Sequence, residues 1–189
     1  APETASPAGE TAYTVGICQL APHVALDAAT EGFMDAINEA LPGQVKFDLQ
    51  NAAGDSPTCA TIVNGFVSAD VDLIMANATP ALQAAASATG DIPVLGTSVT
   101  EYGVALGIDG FTGTVGTNVS GTSDLAPLDQ QAAMIQEWYP DAQTVGLLYC
   151  SAEPNSQYQV DEVQKALESF GYTLPRHQRH GFRHPERRR

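Results

Sequence analysis

Arginine is missing from the first 175 residues of this 189-residue chain. Lysine occurs there only twice, at Lys46 and Lys165, against 21 of the 22 acidic residues. The net charge of −14 argues against nucleic acid and anionic membrane as partners. Tryptophan occurs once, yet apolar residues reach 43%, enough to bury a core and to exclude global disorder. No apolar run approaches the roughly 18–20 residues that span a bilayer. Cysteine is limited to Cys18, Cys59 and Cys150, an odd set without metal-ligand spacing. Cys18 and Cys150 each end an apolar strand pattern, so buried free thiols are expected. A catalytic cysteine would need a His/Asn constellation that the pattern does not support.

What is present changes abruptly near the end. All six arginines and three of the four histidines fall within residues 176–189. One reading is a basic arm for an acidic partner. The favoured reading is an aberrant basic tail, residues 175–189, decoded out of frame. One permitted set of codons for Arg176–Arg189, shifted by one base, reads Val-Thr-Ser-Gly-Thr-Val-Ser-Asp-Thr-Gln-Ser-Val-Ala, a composition like the rest of the chain. On this expectation the chain is a C-terminal truncation of a longer protein. At the other end, residues 1–12 begin APETASPAGET and read as a flexible linker, such as a secreted lipoprotein tether shows after processing.

Between these ends strand and helix patterns alternate. Ala12–Leu20 is a strand-type run, and Val24–Leu41 has helical spacing stopped by Pro42-Gly43. Val45–Leu49 alternates as a second strand. Asp55 or Ser56 can cap the next helix, with Pro57 in its first turn. Val71–Ala76 is a third strand, Thr79-Pro80 opens an alanine-rich helix, Asp91–Leu95 is a fourth strand, and Val104–Ile108 reads as a fifth. This rhythm predicts an α/β fold of βαβ units around a parallel sheet. From Gly110 to Gly121 glycine, threonine and asparagine dominate, as in a crossing segment. A second run follows: helix Leu128–Trp138, strand Thr144–Tyr149 and helix Ser156–Phe170, ended by Gly171. The expected organisation is a first lobe over 13–121 and a partial second lobe over 122–174. Its uncovered apolar faces make a homodimer of the short form conceivable.

Ligands of open parallel sheets bind beyond the carboxyl ends of the strands. Gln19 and His23 follow the first strand, Thr79 the third, Ser98 and Thr100 the fourth, and Asn155 the later one. These are mostly neutral hydrogen-bonding groups. Thr79 as N-cap with Pro80 at the first helical position would leave a helix start open to a carboxylate; the plainer alternative is that Thr79 caps its own helix. Asp124 could meet a ligand ammonium or cap the next helix. Ser98, His23 and Asp124 could be written as a triad, but no G-x-S-x-G elbow accompanies them. Neither a phosphate loop nor paired catalytic carboxylates are evident. No enzyme activity, cofactor or metal is expected.

TVGICQLAPHVALDAATEGFMDAI, FDLQNAAGD, NATPALQAAASAT, DIPVLGTSVT, GTNVSGTSDL and VGLLYCSAEPNSQYQVDEVQKA resemble, in order, successive blocks of ABC-transporter substrate-binding proteins of the tryptophan/tyrosine-type group. The resemblance covers about Tyr13 to Thr173. It implies a type I periplasmic-binding fold with two Rossmann-like lobes joined by a hinge, the second lobe incomplete here. It further implies an extracytoplasmic, membrane-anchored or periplasmic protein that captures a small ligand, with a free aromatic amino acid the leading class, between the two lobes and hands it to an ABC permease; truncation is expected to leave binding by this chain weak or absent. Gln19, His23, Thr79, Ser98 and Thr100 would then face the ligand from the first lobe. Asp124 and Asn155 would approach from the hinge and second lobe. The competing classes are a ligand-sensing receptor domain and a hydrolase on a flavodoxin-like sheet.

Overall fold

A computed structural model of the chain describes residues 12–179, with side chains through residue 175. Most of the expected linker, and residues 180–189 of the expected tail, lie outside the described residues. The chain divides into two compact units at Asp124 and Leu125.

The first unit opens with β1 (Tyr13–Gln19) and α1 (Val24–Ala40). His23 starts α1 in extended conformation, and its Nδ1 accepts a hydrogen bond from the Ala25 N–H at 3.2 Å. Next come β2 (Val45–Asn51) and α2 (Ser56–Ser68). Asp55 caps α2 by accepting from the Thr58 N–H at 3.0 Å, and proline occupies the first turn, as the Asp-Ser-Pro order predicts. Then follow β3 (Leu73–Asn77), α3 (Thr79–Ala88), β4 (Val94–Val99), α4 (Tyr102–Leu106) and β5 (Val119–Ser123).

All five strands are parallel, in the order β2-β1-β3-β4-β5. This is the predicted α/β architecture, with helices covering both faces of the central strands. Val15 and Ile17 point from β1 to one face and, with Met75 from β3, pack against Phe33 and Met34 of α1. Gly16 and Cys18 point to the other face, as the twofold strand period requires. A Cβ on Gly16 would lie 2.6 Å from the Phe66 ring of α2, so glycine there sets how closely helix and strand approach.

Two expectations fail between β4 and β5. Val104–Ile108 is not a strand; residues 102–106 form α4. The Glu101 carboxylate accepts from the Gly103 and Val104 N–H groups, and Gly107 ends the helix in the left-handed region at φ 65°. Capping at both ends outweighs the apolar run. The fifth strand lies instead at the end of the supposed crossing segment. Asn118 Nδ2 donates to the carbonyls of Thr89 and Ile92 at 3.1 and 2.7 Å, fixing the entry of β5. Gly121 then passes so close to β4 that a Cβ would lie 2.1 Å from the Gly96 carbonyl oxygen. Of the β5 residues only Val119 is buried and apolar, so hydrophobic periodicity had nothing to mark.

The second unit contains α5 (Leu128–Trp138), β6 (Leu147–Cys150), α6 (Pro154–Ser169) and β7 (Arg176–Arg179). β6 and β7 are parallel, and an isolated bridge joins Thr144 to Thr173. Ala132, Leu147, Tyr149, Val160, Leu167 and Tyr172 form its core. The tail segment therefore begins, in the structure, as a sheet strand.

Candidate functional site

The carboxyl ends of the strands form a polar row. Cα registers place Asn51 beside Gln19, Gln19 beside Asn77, and Asn77 beside Thr97. Thr122 Oγ1 donates to Thr97 Oγ1 at 3.4 Å, extending the row to β5. Gln19 and Asn77 are almost fully buried. Their amides are held by Thr30 of α1: Asn77 Nδ2 donates to Thr30 Oγ1 at 2.9 Å, and Thr30 Oγ1 donates to Gln19 Oε1 at 2.8 Å. Gln19 Nε2 donates to Asp27 Oδ1 and the Ala21 carbonyl, while Asn77 Nδ2 also reaches the Leu26 carbonyl. This network fixes α1 against the carboxyl ends of β1 and β3. Thr30 and Asn77 were not among the predicted site residues. Their signal was there: Thr30 interrupts the apolar face of α1, and Asn77 ends an otherwise apolar strand.

At the next crossing the chain turns sharply into α3. Ala78 takes φ 91°, a region that L-residues rarely occupy and that favours glycine. It stands at the N-cap without a capping side chain. Thr79 is therefore the first helical residue and Pro80 the second, one place later than the sequence predicts. The strained turn at Ala78 uses up the extended position that a Thr cap would need. Thr79 is 2% exposed, and its Oγ1 has no hydrogen-bond partner. Asn77 Oδ1 is likewise buried and unpartnered. Early amides of a helix have no intrahelical acceptor, and the dipole gives that end a partial positive charge. The end of β3 and the start of α3 thus carry a positive helix terminus, a hydroxyl and an amide oxygen, the last two without a partner. Such a set suits a small ligand with a carboxylate.

The remaining predicted residues sort by unit. Ser98 lies at a bulge in β4 with φ 54°, a second strained residue at a strand end. Thr100 is nearly buried, and its carbonyl accepts from Ser123 Oγ at 2.7 Å. Asp124 is exposed; its N–H donates to the Val99 carbonyl at 3.1 Å. It does not cap α5, whose N-cap is Pro127. Burial first, and then the Asp124 carboxylate, push the Tyr102 phenol up to about 12. His23 is exposed and its Nδ1 is committed to the cap, so it is not paired with Ser98 or Asp124. Asn155 belongs to the second unit, in the first turn of α6, with Oδ1 buried and unpartnered.

A concavity of about 610 Å³ in the first unit lies elsewhere, between the end of α3, α4 and the start of β5. It carries no ionisable side chain, and the polar row is the better candidate because Asn77 Oδ1 and the neighbouring Thr79 Oγ1 are buried without a partner. Among the described residues no His/Cys/Asp/Glu cluster could hold a metal, and no helix is long and apolar enough to cross a membrane.

Known proteins share this fold. A tyrosine-binding protein of Clostridioides difficile is 38% identical over 163 residues, covering 85% of this chain and 47% of that protein. A crystal structure of an ABC domain in complex with L-Trp, from Streptococcus pneumonia, has a TM-score of 0.81 at 35% identity, covering 88% of this chain and 57% of that one. The ligand-free, open form of a Clostridium difficile substrate-binding protein with adhesive properties has a TM-score of 0.67 at 37% identity, covering 89% and 58%. The chain thus spans about half the length of the relatives it matches, and its parallel lobe is that of a type I periplasmic-binding protein. The family model for ABC transporter substrate-binding proteins matches residues 14–178, and with these relatives it establishes that the chain belongs to that family.

Proposed function

We propose that the first unit binds a free aromatic amino acid, with the ligand carboxylate at the start of α3. The unpartnered Thr79 hydroxyl carries this reading. A buried hydroxyl without a partner costs about 1–3 kcal/mol, a cost that a bound carboxylate would remove. Asn77 Oδ1 can accept from an ammonium, and Asp124 offers a second acceptor at the same end of the sheet. Ser98 and Thr100 border the ligand from β4, and the exposed His23 ring offers a flat face to an aromatic side chain. Gln19 is a positioning residue, since its amide is spent on Asp27, Ala21 and Thr30. The set is suited to reversible holding rather than turnover. In keeping with its family, the protein works outside the cytoplasm and delivers its ligand to a membrane permease.

Calorimetry with L-tryptophan, L-tyrosine and L-phenylalanine tests this. Weak saturable binding is expected of this partial cleft, reduced about tenfold or more by Thr79→Val. The same substitution should leave the melting temperature unchanged or raise it, because it removes an unsatisfied group. Unchanged affinity in a folded Thr79→Val variant would overturn the proposed carboxylate site.

A further inference from the structure

Cys18 and Cys59 come from different elements and meet in one core. Gly16 and Cys18 share a face of β1, and α2 lies on that face with Phe66 over Gly16. Cys59 precedes Phe66 by about two helical turns. In a βαβ crossover the helix runs back along the strand, so that step carries Cys59 toward the carboxyl end of β1, where Cys18 stands. Both thiols are fully buried in the same cluster, close enough for each to shift the other's ionisation, Cys18 upward and Cys59 downward. Cys150, by contrast, is half-exposed and belongs to the second unit. The odd count of three thus separates into a facing pair and a single.

We propose that Cys18 and Cys59 close into an intramolecular disulfide when the chain folds in the presence of a disulfide oxidant. Either cysteine, as its thiolate, displaces one thiolate from the oxidant's disulfide and forms a mixed disulfide. The other cysteine, losing its proton, then attacks that protein sulfur and displaces the second thiolate. The two protein thiols are oxidised, the oxidant is reduced to two thiols, and the two protons pass to the leaving sulfurs. Both cysteines are sealed in the finished fold, so the exchange takes place before α2 settles onto β1. The bond would enclose a loop of about forty residues, a length at which cross-links stabilise appreciably.

The test is refolding of the full 189-residue chain carrying Cys150→Ser, in oxidised or in reduced glutathione, followed by alkylation and peptide mapping. Oxidised refolding is expected to yield one peptide pair joined through Cys18 and Cys59. Its melting temperature should exceed that of the dithiothreitol-treated sample by about 5 °C or more. Alkylation of both cysteines after oxidised refolding would overturn the proposal, as would glutathione adducts that never close. In the unsubstituted chain, pairing of either cysteine with Cys150 would overturn it equally. A cross-linked form that melts at or below the reduced one would show that the pair is not placed for a bond.

Discussion

Tyr102 shows how one side chain ties several features together. Its hydroxyl donates to the Thr122 carbonyl at 3.2 Å and fills the space that Cβ atoms on Gly96 and Gly121 would need. Its phenol is raised to about 12, so the folded state keeps a proton that the unfolded chain loses near pH 10. The stability this proton supplies is full below about pH 10 and disappears as pH climbs toward 12. Denaturation midpoints measured from pH 9 to 12 should fall less steeply for Tyr102→Phe than for the natural residue. At neutral pH the Phe variant should lose roughly 1 kcal/mol with the hydrogen bond. At this scale the sequence marked Thr79 and Ser98 as residues beyond strand ends. It could not reveal that Thr79 stands one place inside its helix, because the backbone strain at Ala78 depends on how β3 meets α3.

The elements were legible where one apolar face decides them. Val24–Leu41, Leu128–Trp138 and the first three strands emerge within a few residues of their observed bounds, since burial imposes their periods. α4 and β5 were illegible for a shared reason. A five-residue helix is set by its capping groups, and a strand of Val, Ser, Gly, Thr and Ser is set by its neighbours. Gly121 carries most of that specification. Gly121→Ala would drive a methyl into the Gly96 carbonyl and the Tyr102 hydroxyl, and backbone cannot yield cheaply. Loss of about 3 kcal/mol or more is expected. Hydrogen exchange should speed up first in residues 119–123 and along their β4 partners; exchange accelerated uniformly across the sheet would contradict a local role for this contact.

Over the whole molecule the acid excess dominates. Among the described residues the ion pair is Lys165 with Glu162 at 2.7 Å, on the exposed face of α6, and such pairs contribute little. A net charge of −14 is therefore left largely to solvent and counterions, and self-repulsion opposes the folded state. Raising sodium chloride from 10 to 150 mM (both chosen conditions, spanning Debye lengths of about 30 and 8 Å) should raise the melting temperature by a few degrees. A melting temperature that stays flat or falls with salt would show that the charges are already locally balanced. The family assignment belongs to this scale as well. The ordered blocks of sequence pointed to it, whereas no single residue did.

The parallel sheet has a consequence for how the protein acquires its shape. Adjacent antiparallel strands can zip together from a tight turn, but none of these pairings has one. β1 must wait for α1 before it meets β2, and then for β2, α2 and β3 to emerge before its other edge is filled. Loop closure comes before reward at every step, which slows the search and leaves apolar strand edges uncovered meanwhile. Refolding yield should therefore depend on dilution far more than final stability does.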